Sequence, residues 1–320
     1  MTMRGWRTAC LSAVLSLVSV VAALGENTDY SLMSWRYGVV VWPGQLNTYS
    51  TVPERFVERL EAAAEEAFGF WGYEPPQPTD EWPGSVRHEG RLHIDGPYDV
   101  AIVDDGASKE IPIPNLSWQG ARLSPVLVIP FVGHWRMHDA LGATATFGAQ
   151  FFYRPLVRTY PLAEPWVHDV GLGYRTVICA SHAGDDVLIH EFTHWFQWTW
   201  CEARDLEPLA LPPLIREGMA ESAAAEAESS PYDAWDRQAV IDWAKHNCLV
   251  GVVGAAARYT VGESLVSYLL DELGTARFLA TLRDWIACPD RMAAEHEPGW
   301  RESLGLPLAC PEGSGEGAGD

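Results

Sequence analysis

The chain has few positive charges, few cysteines and only one long apolar run. Its 320 residues include 22 Lys and Arg against 43 Asp and Glu, so the formal net charge at pH 7 is -21. A surface that binds phosphates needs clustered Lys and Arg, and this shortage argues against a nucleic-acid partner. An acidic surface would suit basic substrates, but it also keeps an exported protein soluble, and we favour this second interpretation.

The one long apolar run has the features of an export signal. Two arginines precede the run Ala9–Ala23, which ends in the small residues of Ala23-Leu24-Gly25. We predict that residues 1–25 are a signal peptide cleaved before Glu26, which makes the protein secreted or extracytoplasmic. An uncleaved N-terminal anchor is the alternative, although the run is short for a membrane-spanning helix. No other run is long enough to span a membrane, so no stable insertion is expected after the signal is removed.

The shortage of cysteine also excludes some classes of site. No pair has C-x-x-C spacing, which argues against a cysteine zinc site and a thioredoxin-type redox motif. Removal of the signal leaves five cysteines, so two disulfides and one free thiol are the most that an exported chain could form. A Cys288–Cys310 bridge would tie down the C-terminal segment, although the spacing does not single it out.

The order of the predicted elements indicates an α+β fold. Short apolar runs between turn residues predict strands at residues 35–45, 98–103, 125–129, 143–153 and 176–180. An amphipathic helix is predicted over Pro53–Phe68, and the Pro-rich segment Glu74–Pro78 that follows reads as a rigid loop. From Asp185 onward the signals are helical, and strands followed by helices are typical of α+β proteins.

The same signals suggest how the mature chain is divided. We predict one domain over residues 26–300, which is rich in sheet over 35–183 and helical over 184–300. Residues 301–320 read as an acidic, Gly-rich tail that is disordered.

A short stretch in the helical half carries a metal-binding pattern. His190-Glu191-Phe192-Thr193-His194 reads H-E-x-x-H, in a segment predicted to be a helix that begins near Asp185. Residues i and i+4 share one face of a helix, so His190 and His194 are placed to bind a single Zn²⁺. Glu191 can then take a proton from a water on that metal. The alternative is a surface helix with two solvated histidines.

A second predicted helix supplies a third ligand. It begins near Pro213 and carries Glu217 and Glu221 on one face, since they are four residues apart. Packed against the first helix, it would send Glu217 to the zinc and Glu221 to a ligand histidine. A carboxylate that accepts the outer N–H of such a histidine fixes its tautomer and strengthens the ligand.

Together the two segments resemble the gluzincin zinc metallopeptidases, above all the bacterial group called peptidase MA-like. The shared pattern is His190-Glu191-x-x-His194, a gap of 22 residues, and Glu217-Gly-x-Ala-Glu221. The resemblance implies that His190, His194 and Glu217 bind zinc, that Glu191 is the catalytic base and that Glu221 supports His190. It also implies a zincin-like fold: an N-terminal mixed β-sheet with a backing helix, a mostly helical second half, and the zinc site between them.

The resemblance covers residues 176–285 by sequence and the N-terminal half by architecture alone. It continues through a segment from Arg258 to Leu269, which looks like the next helix of that group. The chain has no G-x-M-E-N motif of the aminopeptidase branch, and His246 is a poor match to the downstream histidine motif of the thermolysin branch. A branch-specific substrate is therefore not implied.

Other polar residues are weaker candidates for a role. Tyr259, Tyr268 and His246 could stabilise the oxyanion that forms when a carbonyl is attacked. The resemblance favours Tyr259, whereas core packing is the better expectation for Tyr268. His134 and His138 repeat the spacing of four but lack the glutamate, so we expect a polar loop or a short helix there rather than a metal site.

These observations predict an exported zinc metallopeptidase that hydrolyses a peptide or protein substrate, with Glu191 as general base. One alternative is a catalytically inactive, zinc-bearing module that recognises a protein or cell-wall partner; the intact Glu191 argues against it. Another is a structural exported protein with an accidental pattern, and the helix with Glu217 and Glu221 argues against that.

Overall fold

The computed structural model describes residues 30–43, 53–88, 109–123, 126–131, 149–153, 176–181, 184–226, 236–251 and 255–311. The strands are β1 Tyr30–Trp35, β2 Gly38–Pro43, β3 Gln77–His88, β4 Lys109–Trp118, β5 Ala121–Leu123, β6 Val126–Phe131, β7 Ala149–Tyr153 and β8 Thr176–Ser181. The helices are α1 Pro53–Phe70, α2 Asp185–Glu202, α3 Pro213–Glu226, α4 Asp236–Ala244, α5 Ala255–Leu273, α6 Thr275–Ala287 and α7 Pro289–Ser303. Short 3-10 helices lie at Pro208–Ala210 and Leu249–Gly251.

The described strands form two sheets, and the class is α+β as predicted. The larger sheet has the order β1-β2-β6-β8-β7. Strands β2, β6 and β8 run parallel, while β1 and β7 pair antiparallel at the two edges, so this sheet is mixed. The smaller sheet, β3-β4-β5, is antiparallel throughout. Helices α2 to α7 follow the sheets in the chain, as the order of sequence signals indicated.

Helix α1 packs against α2 and supports it from behind. It begins at Pro53 as predicted and ends two residues beyond the predicted boundary, at Phe70. Its apolar residues Leu60, Ala64 and Phe68 are fully buried. They form the apolar stripe that their spacing of four residues predicted. Phe68 contacts Trp195 and Phe196 of α2 edge to face, with ring centroids 5.1 and 5.4 Å apart.

Helix α2 is buried along almost all of its length. Its aromatic side chains Trp195, Phe196, Trp198 and Trp200 are each at most 5% exposed, and they pack the helix into the core as expected. The ring of Phe196 contacts four other aromatic rings, those of Phe68, Trp71, Tyr73 and Trp118. The aromatic core therefore holds α2 from several sides, and this fixes the position of the H-E-x-x-H segment on it.

Three features of the sheets differ from the sequence predictions. The single strand predicted over 35–45 is a hairpin, in which β1 and β2 are joined by a turn at Arg36 and Tyr37, a pair without the usual glycine or asparagine signal. The segment Glu74–Pro78 is a loop only in part, since β3 begins at Gln77. Strands β3, β4 and β5 were not predicted.

Proline explains why β4 reads as a loop. Pro112 and Pro114 interrupt its pattern, and proline removes a ladder hydrogen bond. Among the described strands, the part of β4 that contains both prolines pairs only with β3, because β5 pairs only with Leu116 to Trp118. A strand with one free side tolerates proline. The strand predicted at 98–103, the predicted signal peptide, His134 and His138 lie outside the described residues.

A disulfide joins Cys248 to Cys310, so the pairing of Cys288 with Cys310 was wrong. Cys288 is a free, exposed thiol, and Cys201 is free and buried. The bridge ties the C-terminal segment to the residues before the second 3-10 helix. The two cysteines are 62 residues apart, so their pairing depends on the path of the folded chain, which spacing along the sequence does not reveal.

The C-terminal segment is ordered further than the sequence suggested. The boundary predicted at residue 301 falls inside α7, which runs to Ser303. Arg301 is buried, and its guanidinium donates to the carbonyl oxygens of Ala244 and Pro307 at 2.8 Å each. These bonds hold the segment after α7 against the end of α4. Residues 312–320 lie outside the described part, and within that part no helix is long and apolar enough to cross a membrane.

Helices α3 and α5 cross at a pair of buried glycines, Gly218 and Gly262. A Cβ on Gly218 would overlap with the backbone of Gly262, and a Cβ on Gly262 would overlap with the carbonyl oxygen of Leu214. Only glycine permits this close approach of two helix backbones. The crossing packs the part of α3 that carries Glu217 closely against α5.

We predict that Gly262→Ala forces α3 and α5 apart. Overpacking of this kind costs about 1–3 kcal/mol of unfolding free energy. Gly69→Ala is the matched control, because nothing lies within 4 Å of its added Cβ, and there the smaller entropy of the unfolded chain should gain about 0.4–1 kcal/mol. Urea denaturation followed by circular dichroism measures both changes. Equal midpoints for the two variants would contradict the close-packed crossing.

Candidate metal centre

Three ligand atoms from helices α2 and α3 face one another. The Nε2 atoms of His190 and His194, on α2, are 3.1 Å apart. The Oε2 atom of Glu217, on α3, lies 3.6 Å from the first and 3.3 Å from the second. The structure thus brings together the three residues that the sequence singled out as ligands. Among the described residues, they form a group that could hold a metal ion.

The size of this triangle suits a tetrahedral zinc ion. Bonds of about 2.0–2.1 Å in tetrahedral geometry separate neighbouring ligand atoms by about 3.3–3.4 Å. The observed separations of 3.1, 3.3 and 3.6 Å bracket that value. Two imidazoles and one carboxylate are also the donor set of a common class of hydrolytic zinc site. The residues therefore fit the ion in both geometry and chemistry.

Each histidine has a partner on its outer nitrogen. His190 Nδ1 lies 3.1 Å from Oε1 of Glu221, the carboxylate predicted for this role. His194 Nδ1 lies 3.0 Å from Oε1 of Gln197, one turn further along α2. Gln197 was not predicted, although its spacing of three from His194 was a usable signal. Both rings therefore direct Nε2 inward.

The inner face of the cluster attracts positive charge. When both histidines are neutral and carry their proton on Nδ1, the two Nε2 atoms and Glu217 Oε2 present lone pairs to one another. Burial alone lowers the pKa of His190, but hydrogen bonds to Glu217 and Glu221 and the charge of Glu191 outweigh it and raise this pKa to about 10. Without a metal, a proton on His190 supplies the missing positive charge.

Glu217 is held as a carboxylate. Burial acts to raise its pKa, but the contacts with His190 and His194 and the charge of Arg216 hold this pKa well below its usual range. Arg216 donates from Nε and Nη2 to Oε1 of Glu217, at 3.1 and 3.0 Å. This leaves Oε2 for the centre. The role of Arg216 was not predicted from the sequence, because it depends on the Arg216 side chain folding back onto Glu217, the next residue in the chain.

Glu191 and Tyr259 complete the surroundings. Glu191 is 6% exposed and lies beside His190 on α2. The ring of Tyr259, on α5, has its centroid 5.9 Å from that of His190. Burial and the charges of Glu217, Glu191 and Glu221 raise the pKa of Tyr259, so its hydroxyl keeps its proton at neutral pH and can donate it in a hydrogen bond. Tyr259 as a whole is 42% exposed, so the residue is partly open to solvent.

The other oxyanion candidates have structural surroundings. Tyr268 lies more than two turns beyond Tyr259 on α5, packs against the hydrophobic core and abuts Gly299 of α7. His246 is exposed just after α4, and its Nδ1 lies 3.0 Å from the carbonyl oxygen of Asp242. Core packing of Tyr268 agrees with the sequence expectation.

Comparison of the chain with family models, with curated proteins and with solved structures found no match. The interpretation of the cluster therefore depends on its residues and their geometry.

We predict that zinc binding near pH 7.5 releases about one proton, because protonated His190 must free its Nε2 to become a ligand. The affinity should then rise about tenfold per pH unit between about pH 7 and 8.5. Calorimetric titrations in two buffers of different ionisation enthalpy measure the released proton. His246→Ala is the control and should change neither quantity. A pH-independent affinity would contradict the proposed charge balance.

The same pKa sets how the stability of the metal-free protein depends on pH. The folded-state pKa of His190, about 10, lies above its ordinary value of 6.5. The stability that this group contributes is therefore fully present below about pH 6.5 and is lost as the pH rises towards 10.

Proposed function

We propose that this chain is an exported zinc metallopeptidase with a zincin-like arrangement of sheet and helices. The observation that carries the proposal is the convergence of His190, His194 and Glu217 at separations that suit tetrahedral zinc, with a buried carboxylate, Glu191, beside the first ligand. A solvated surface helix, the alternative for these histidines, does not agree with side chains about nine-tenths buried.

The roles follow from the chemistry of each group. Bound by the three ligands, zinc would supply a Lewis acid that acidifies water and polarises the scissile carbonyl. Glu191 takes a proton from the attacking water and passes it to the leaving amine. Tyr259, protonated and partly exposed, donates a hydrogen bond to the oxyanion. Glu221 holds the ring of His190 in its ligand orientation.

The architecture and the disulfide support the rest of the proposal. The mixed sheet precedes α2 in the chain, α1 packs against α2, and the helical half supplies Glu217. These features are compatible with the arrangement that the gluzincin resemblance implies. The Cys248–Cys310 bridge suits an oxidising compartment, in agreement with the predicted signal peptide.

We predict that Glu191→Gln lowers peptide cleavage by about 10²–10⁴-fold, because the variant lacks the general base. Its zinc content should stay at one ion per chain, since Glu191 is not a ligand. Glu226→Gln, at the exposed end of α3, is the isosteric control and should retain activity. Mass spectrometry of a broad peptide-library digest, with and without a chelator, measures cleavage.

Two outcomes would overturn this assignment. Wild-type activity in Glu191→Gln would exclude the mechanism. A wild-type protein that binds zinc and cleaves no peptide would favour the inactive binding module instead.

We predict that Tyr259→Phe lowers kcat by about 10²–10³-fold, because the variant loses a hydrogen-bond donor to the oxyanion. KM and zinc content should change little, since the aromatic ring and all three ligands remain. Tyr268→Phe makes the same change on the same helix away from the cluster and serves as the control. Steady-state kinetics on a peptide identified in the digest tests this, and equal kcat values for the two variants would remove Tyr259 from the mechanism.

A further inference from the structure

Gln197 connects the two helices of the metal cluster through a single side-chain amide. It follows His194 by one turn on α2 and is only 2% exposed. Its Oε1 lies 3.0 Å from His194 Nδ1, and its Nε2 donates to the carbonyl oxygen of Arg216 at 2.7 Å. Both polar ends of a buried amide thus have a partner, one on each helix.

The two bonds leave one orientation for the amide and one tautomer for the histidine. A backbone carbonyl only accepts hydrogen bonds, so the NH₂ group of Gln197 must face Arg216. Its oxygen therefore faces His194, and because that oxygen also only accepts, His194 Nδ1 must be the donor. The ring then carries its proton on Nδ1 and directs the Nε2 lone pair towards Glu217 Oε2 and His190 Nε2.

We propose that Gln197 is a positioning residue that fixes the tautomer of His194 and holds the first turn of α3 against α2. The hydrogen bonds of Gln197 are present whether or not a metal binds. The contribution of Gln197 to metal binding, however, rests on the proposed zinc site. Through the Arg216 carbonyl, the amide also restrains the residue next to Glu217. One side chain therefore aligns the second histidine and the third ligand together.

A neutral partner suits this position better than a carboxylate. Three acidic groups, Glu191, Glu217 and Glu221, already act on the cluster. A carboxylate in place of Gln197 would add a fourth negative charge to a buried site, and it would present an acceptor to the Arg216 carbonyl. His190 is different, because its partner Glu221 is a third exposed, so water can solvate the charge of that carboxylate.

The test compares Gln197→Met with Gln238→Met. Methionine keeps the approximate volume and removes both hydrogen bonds. Gln238 is exposed on α4, where its Nε2 donates to Asp242 at 2.9 Å, so the control removes a glutamine bond outside the cluster. Heteronuclear NMR of histidine-labelled, metal-free protein reports which ring nitrogen of His194 carries the proton. Competition with a chromophoric chelator gives the zinc affinity of the same samples.

The wild type and Gln238→Met should show the Nδ1–H form of His194. Gln197→Met should lose this signature and bind zinc about 10–100-fold more weakly, which is the usual cost of losing the outer partner of a metal ligand. Gln197→Glu is the second variant if methionine prevents folding: it keeps the acceptor for His194, so the Nδ1–H form should persist, while zinc affinity falls because the bond to Arg216 is lost.

The outcomes separate this inference from the proposed function. An Nε2–H form of His194 in the wild type, or an unchanged tautomer and affinity in Gln197→Met, overturns the role of Gln197. A wild type that has the Nδ1–H form but binds no zinc supports the positioning role and overturns the metallopeptidase proposal.

Discussion

The mutual repulsion of three inward-facing lone pairs is the constraint on which the rest of the site depends. The outer nitrogens of His190 and His194 are engaged by Glu221 and Gln197, so both inner nitrogens face Glu217 Oε2. Such an arrangement is favourable only with a cation at its centre, whether a metal ion or a proton. The raised pKa of His190 is the response of the metal-free protein to the same constraint.

The fold keeps the two helices in place against this repulsion. The aromatic cluster around Phe196 packs α2 into the core, and Phe68 of α1 is part of that cluster. On α3, the glycine crossing with α5 allows a backbone approach that no larger residue permits. The buried surroundings also lower the effective dielectric constant, which strengthens every charge interaction at the cluster. Packing contacts away from the cluster thus help to hold the ligand side chains in position to bind a metal ion.

The parts of the site that depend on spacing along a helix were predictable from sequence. His190 and His194 are four residues apart, as are Glu217 and Glu221, and a helix places such pairs on one face. The order of strands and helices similarly predicted the α+β class. Arg216 and the Cys248–Cys310 bridge were not predictable, because their roles depend on a side-chain rotamer and on the path of the chain. Strand β4 escaped detection because Pro112 and Pro114 interrupt its pattern.

The central claim is that α2 and α3 bind one metal ion through two histidines and one carboxylate. X-ray diffraction from crystals of the zinc-loaded protein, with data collected on both sides of the zinc absorption edge, tests this most directly. The account predicts one anomalous peak about 2.0–2.2 Å from His190 Nε2, His194 Nε2 and Glu217 Oε2. Zinc-loaded crystals with no peak at that point, or with the ion bound elsewhere, would contradict it.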